Sequence, residues 1–390
     1  MTKYIPDLNF FFSSIGLGIN FFFTSVILVL AAFFGFYEFA AELGLLKAGI
    51  FMVCQMLSSN ARSIIIAKNK ISSTEQFLTF RLIFGFIIFS VSSIIIFLLD
   101  SNFKFLIFNL STIIVVQWIA EIIITSYHSK KKDLEKIIFI FFQMIFLFSS
   151  FLCFWYGSLF LLELISIAYI LFYLIFFLKY FSSFFSSLEK FSIQNNIKNL
   201  FKLSLLSSAS INFTNLTWRV MIINIISKDY AGALFGGFAV ASFIGSFFYN
   251  IVGPILFQNK DVKKTLKFLI DYLLLIIVLA GCFLVYYFQD YFSGYPEIKN
   301  FFYNTILISL IGSYFMMKSH FLRFEFFFSN EKNHNSVFNF DIIYSFFCIL
   351  TVPVLFFIGS LEGLKYSYLA ASIFSFLIFL TLSQSKNAKR

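Results

Sequence analysis

The chain is a succession of long apolar runs broken by short polar ones. Twelve runs reach or approach the roughly 20 residues that a bilayer-spanning helix needs. They cover residues 9–34, 40–58, 79–99, 104–127, 136–156, 158–181, 201–226, 230–257, 266–289, 299–320, 337–359 and 364–384. Apolar and polar residues do not alternate within them, as they would in the staves of a membrane β-barrel. The pattern predicts an all-α polytopic membrane protein with twelve transmembrane helices. The first run is too long for a secretory signal and is followed by many more like it, so it reads as the first span.

Lysine and arginine orient these spans. The termini and the even-numbered connections hold 23 of the 29 basic residues, and the odd-numbered connections hold four: Lys104, Lys228, Lys299 and Lys365. Cytoplasmic loops are the basic ones, so both termini are expected in the cytoplasm. A missed or invented span would destroy this alternation. Lys47 and Arg219 are left over, within spans.

Composition agrees with a lipid environment. Hydrophobic residues make up 60% of the chain and charged residues 12%, and phenylalanine occurs 64 times. A typical soluble domain is about 45–50% apolar and about 25% charged. The net charge of +10 is absorbed by the loop asymmetry, and no nucleic-acid partner is assigned.

The connection at 182–200, SSFFSSLEKFSIQNNIKNL, divides the spans six and six. It reads either as a segment lying along the membrane surface or as a plain linker. The expected domains are a six-helix bundle over 1–181, this cytoplasmic linker, and a second six-helix bundle over 201–390. INF stands at 19–21 and again at 211–213, and at the same offset of 192 Lys68 meets Lys260. Both copies open the first helix of a half, in the same orientation. That is the parallel repeat of several transporter folds, two bundles related by a pseudo-two-fold along the membrane normal, with substrate carried near mid-membrane.

Polar residues within the seventh run form a stripe. Ser204, Ser208, Asn212, Asn215 and Arg219 are spaced by three or four, one face of a helix. Ser13, Gly16, Asn20 and Thr24 form the like stripe in the first run, with Asn20 at the repeat position of Asn212. A polar face in lipid must turn toward protein or water. A guanidinium in hydrocarbon costs at least about 2.5–3.5 kcal/mol. Arg219 precedes Lys228 by nine residues, about 13 Å along a helix, too far for easy snorkelling. Its planar fork suits a phosphate or pyrophosphate group. The alternative is an ion pair with a buried acid, for which Glu121 is the candidate. Candidate substrate-binding residues are therefore Arg219, Asn212, Asn215, Asn20 and Lys47; Lys47 either lines a cavity or snorkels.

Glu121 shares a helix face with Gln117 and is either an ion-coupling site or the partner of Arg219. Asp271 and Asp341 read as interfacial. Gly237, Ala241 and Gly245 recur every four residues, a spacing that lets helices pack closely. Cys54, Cys153, Cys282 and Cys348 lie in apolar runs without a CxxC pair and read as small core residues. His128, His320 and His334 are expected in polar loops, without metal-ligand spacing. No catalytic residue, metal or cofactor is predicted: the outer loops are short and carry no acid–base pair suited to an enzyme.

Two stretches resemble a known family. WRVMIINIISKDYAGALFGGFAVASFIGSFFYNIVGPIL, residues 218–257, is similar to the seventh and eighth helices of polysaccharide (O-antigen-type) flippases of the multidrug/oligosaccharidyl-lipid/polysaccharide exporter superfamily. The shared features are the helical arginine, the short outer turn and Ala231-Gly232 opening the next helix. FFGFYEFAAELGLLKAGIFMVCQMLSSNARSIIIAKNK, residues 33–70, resembles the matching pair of the first half. Trp218 stands where relatives often have an acid. The resemblance implies transfer of an undecaprenyl-diphosphate-linked oligosaccharide across the bacterial inner membrane by alternating access, in surface polysaccharide, O-antigen or lipopolysaccharide biosynthesis. It makes a polysaccharide polymerase a candidate partner. The alternative within the superfamily is a cation-coupled drug or metabolite antiporter. A major-facilitator transporter would share the layout, but SSNARSIIIAKNKISSTEQ lacks the usual glycine- and arginine-rich motif between helices two and three.

Overall fold

The computed structural model describes residues 22–58, 71–98, 100–129, 133–188, 203–247, 263–329 and 333–387. Those residues form an all-α membrane protein of twelve helices, without a strand among them. In chain order the helices are α1 (Phe22–Phe33), α2 (Tyr37–Leu57), α3 (Ile71–Leu98), α4 (Lys104–Ser129), α5 (Asp133–Trp155) and α6 (Leu159–Leu188). They continue as α7 (Leu203–Ile225), α8 (Lys228–Phe247), α9 (Lys263–Tyr287), α10 (Pro296–Ser329), α11 (Asn333–Leu364) and α12 (Ser367–Asn387). Each apolar run has its helix. Eight of these helices are long and apolar enough to cross a membrane; α7 and α8 are not among them. These two carry the arginine stripe and the small residues, which lower their hydropathy.

Several helices outrun the apolar segments that announce them. α10 continues to Ser329 and α6 to Leu188, so 182–188 of the expected linker are helical, and 189–200 lie outside the described residues. His128, His320 and His334 correspondingly fall within helix bounds, not in loops. Once a helix leaves the hydrocarbon, polar side chains no longer penalise its continuation, and each further turn keeps its backbone hydrogen bonds. α11 shows the converse. Ser360, at φ 51°, interrupts the helix seven residues after Pro353, where the eleventh apolar run ends.

The chain divides into two compact units. One comprises the described residues of Met1–Ile27 and Leu46–Leu205; the other comprises those of Leu28–Leu45 and Leu206–Arg390. In the first unit α4 is the central helix, packed against α3 and α6, and nearly all its positions from Leu106 to Thr125 are buried. A polar cluster lies within this unit. The Tyr169 and Tyr173 hydroxyls are 3.2 Å apart, Gln117 donates to Tyr169 and Gln143 donates to Tyr173. Phe23 stacks on Tyr169, with ring centroids 4.5 Å apart.

In the second unit α10 packs on α8 and α12. Gly237 gives α8 its close approach to Thr305 of α10, which places this member of the small-residue series in helix packing; Gly245 is not among the described side chains. The α1–α2 turn belongs to the same unit. Gly35 and Gly294 face each other there, both at positive φ, 82° and 111°. That backbone region favours glycine. The Ser293 amide donates to the Phe33 carbonyl, and the Tyr37 hydroxyl donates to the Ser293 carbonyl, each at 2.9 Å. Opposite them Gly232 lies directly against the Tyr37 carbonyl.

Most serines and threonines in the helices are satisfied locally. Thr125 bonds the Glu121 carbonyl, Ser150 that of Phe146 and Thr214 that of Ser210. Such back-bonding to residue i−4 removes the need for a tertiary partner.

Candidate functional site

Three arginines fall among the described residues, and each lies within a helix. Arg81 of α3 is buried at 1% exposure. Its Nη1 donates to Glu121 Oε2 at 2.7 Å and to the Trp118 carbonyl, and its guanidinium carbon lies 4.9 Å from the Trp118 ring centre. Sequence reasoning places Arg81 among the loop cations; the first two turns of α3, from Ile71, carry it into the protein instead. Glu121 therefore has a partner within its own unit, Arg81. Arg323 of α10 is likewise paired, through Nη2, with Asp341 Oδ2 at 2.7 Å. Asp341 is 2% exposed, and its burial within the protein is permitted by that cation.

Arg219 differs. It lies two turns before the end of α7, half-buried, and no carboxylate among the described residues pairs with it. Its Nη1 donates to the carbonyl of Gly44, its guanidinium carbon lies 5.0 Å from the Phe235 ring centre, and its Nε is buried without a hydrogen-bond partner. Gly44 makes the seat: a β-carbon there would stand 2.9 Å from Arg219 Nη1 and 2.7 Å from Phe235 Cδ2. Trp218 packs on Phe235 and Phe238, with ring centres 6.0 and 5.0 Å away, so the position that could hold an acid holds a wall. The result is a cation lodged against the Phe235 ring and a backbone carbonyl, its charge uncompensated by any carboxylate among the described residues. An anion supplied from outside the chain would complete it.

The rest of the stripe is only partly on view. Asn212 is half-buried and Asn215 exposed. Ser210, midway in sequence between Ser208 and Asn212 and so off the stripe, donates to Ser345 at 3.0 Å. Asn20 lies outside the described residues, as do the side chains of Ser204, Ser208 and Asp271. Thr24 is buried in the first unit. In that unit Lys47 is half-buried and donates through Nζ to Ser25. Lys228, at the start of α8, donates to Glu42 at 2.8 Å and lies 3.6 Å from Glu38. Sequence spacing within α2 sets Glu38 and Glu42 on one face, but nothing in the sequence names Lys228 as their partner. Lys365 is buried at 3% exposure and lies over Phe301, 5.0 Å from the ring centre. Among the described residues no group of histidines, cysteines and acids could hold a metal.

No family model matches the sequence, and no curated protein matches it. Solved structures do share its fold. The inward-facing conformation of a multidrug resistance MATE family transporter of the MOP superfamily aligns at TM-score 0.59 and 14% identity, over 97% of this chain and 100% of the other. The lipid II flippase MurJ, in its inward closed conformation, aligns at TM-score 0.56 and 16% identity, over 97% of this chain and 87% of the other. The eukaryotic MATE transporter AtDTX14 aligns at TM-score 0.53 and 12% identity, over 96% and 95%.

Proposed function

We propose that this chain is a flippase that moves an undecaprenyl-diphosphate-linked oligosaccharide across the bacterial inner membrane by alternating access, for surface polysaccharide such as O-antigen. Arg219 carries the reading. Two other helical arginines have carboxylate partners, and Arg219 has none among the described residues. A pyrophosphate is the kind of group its free donors would hold. The fold is shared with a lipid II flippase, which makes a lipid-linked substrate reasonable, and the basic inner connections fit entry from the cytoplasmic side. Asn212, Asn215, Asn20 and Lys47 are the proposed accessory contacts. The proposed layout is two like-oriented halves, 1–181 and 201–390, joined by 182–200, with both termini cytoplasmic and a polysaccharide polymerase as downstream partner.

Arg219→Ala should abolish surface glycan in cells that depend on this chain, while membrane insertion and melting temperature hold. Arg219→Lys should restore part of it, keeping the charge but not the fork. Undiminished glycan in Arg219→Ala would overturn the reading. The second reading, a cation-coupled drug or metabolite antiporter, draws on the MATE fold and on Glu121 as ion site. Efflux that stops when an ion gradient is collapsed, and in Glu121→Gln, would favour it.

A further inference from the structure

The two compact units do not follow the two halves of the chain. Leu28–Leu45, which ends α1, forms the turn and starts α2, belongs to the second unit. The chain changes unit inside α1, after Ile27, and again inside α2, after Leu45. Both sides of the α2 crossing are pinned. Before it, the Gly44 carbonyl accepts from Arg219 Nη1, within the second unit. After it, Lys47 donates to Ser25 of α1, within the first. Gly44 and Lys47 are about 4.5 Å apart along the helix, so a single turn of α2 is tied at one end to each unit.

A transport cycle needs one of two motions. Either the α1–α2 tip lifts off the second unit, or α1 and α2 bend where they change unit. Energies separate them. Phe33 and Tyr37 of the tip lie on Phe292 and Phe302, with ring centres 4.6 and 6.2 Å apart, and Gly44 lies on Phe235. Phe235, Phe292 and Phe302 are all buried. Uncovering a phenylalanine costs about 1.5–3 kcal/mol, and the bonds that Ser293 makes to Phe33 and Tyr37 would be lost as well. Bending asks less. A glycine already weakens a helix by about 1 kcal/mol. The Gly44 carbonyl is also the i−4 acceptor for the Ala48 amide in the α2 ladder. The Arg219 side chain therefore enters the ladder at that point, an identified cause of helix bends.

We infer that α2 hinges between Gly44 and Lys47, that the α1–α2 tip travels with the second unit, and that Arg219 pins the hinge. The moving boundary then runs through α1 and α2 and not through the 182–200 connection. An anion that takes up the Arg219 donors withdraws Nη1 from the Gly44 carbonyl and frees the hinge. That last step rests on the proposed function; the hinge and its pin do not. Arg219 is on this account a positioning residue for α2 as well as a contact for the substrate.

The test measures distances by double electron–electron resonance in full-length protein in phosphatidylcholine nanodiscs, with the four native cysteines replaced by alanine. Spin labels on Glu38→Cys and Glu297→Cys span the tip and the second unit. Labels on Glu38→Cys and Tyr156→Cys span the tip and the first unit. Glu38 is half-buried, and Tyr156 and Glu297 are exposed, so all three sites accept a label. With farnesyl diphosphate as the probe, the 38–297 distance should hold. The 38–156 distance should change by more than about 2 Å, beyond the range of a simple helix shift. Arg219→Ala should show the changed 38–156 distance without any diphosphate. Arg219→Met, which keeps an apolar stem beside Phe235, should do the same. A 38–297 distance that lengthens with diphosphate or in either variant would mean that the tip lifts, and would overturn the inference. So would a 38–156 distance in both variants equal to that of the unliganded wild type. A wild type that ignores farnesyl diphosphate while both variants shift would uphold the hinge and its pin and count against the diphosphate reading alone.

Discussion

Gly232 of α8 is pressed against the carbonyl oxygen of Tyr37, leaving no space for a β-carbon at that position. The obstacle is backbone, which cannot swing aside as a long side chain can. Gly232→Ala should therefore destabilise by about 1–3 kcal/mol or more, the usual cost of overpacking. Thermal unfolding in detergent measures it, and a wild-type melting temperature would mean that the two backbones do not meet this closely.

The Arg81–Glu121 pair makes a different prediction. Arg81 is almost wholly buried, while the Glu121 side chain is 21% exposed. Removing one member of a buried pair strands the other, at a cost of about 3–5 kcal/mol. Glu121→Ala should thus be severe, whereas Arg81→Met combined with Glu121→Leu should recover much of the loss. A double-mutant cycle decides: strictly additive effects would show that the pair is not coupled.

Gly44 should behave as part of the Arg219 seat. A methyl group there must displace Phe235 or the guanidinium. Gly44→Ala is expected to reduce surface glycan at least tenfold while the protein still inserts. Gly49, five residues on along α2 in the same sequence run, is the control; equal losses at both positions would argue for a general effect of alanine on the helix.

Lys228 should matter little to stability. Its side chain is 45% exposed beside Glu42 and Glu38, and exposed pairs contribute about 0–1 kcal/mol. Lys228→Met should shift the melting temperature by only a few degrees, and 0.5 M salt should shrink that shift further. A large, salt-independent loss would show that the pair is shielded from solvent.

The helices were legible in the sequence because bilayer thickness imposes a length on every apolar run. Even the stop of the eleventh run at residue 359 coincides with the Ser360 break. What the runs could not reveal was where helices continue past the apolar segments, as α10 does to Ser329. Nor could they reveal tertiary pairing. Arg81 and Glu121 are 40 residues apart, and only the packing of α3 on α4 brings them together. Of the candidate site, Arg219 was conspicuous for its cost in lipid. Its neighbours Gly44 and Phe235 carry no sequence mark, since a glycine and a phenylalanine in an apolar helix look like any others.

The placement of the tryptophans has a practical consequence. There are three: Trp118 beneath the Arg81 guanidinium, Trp155 at the exposed end of α5, and Trp218 adjoining Arg219 in the chain. With the first two replaced by phenylalanine, the indole at 218 becomes a native optical reporter whose emission should respond when an anion docks at the neighbouring cation, allowing the ligand's affinity to be read by titration without a label.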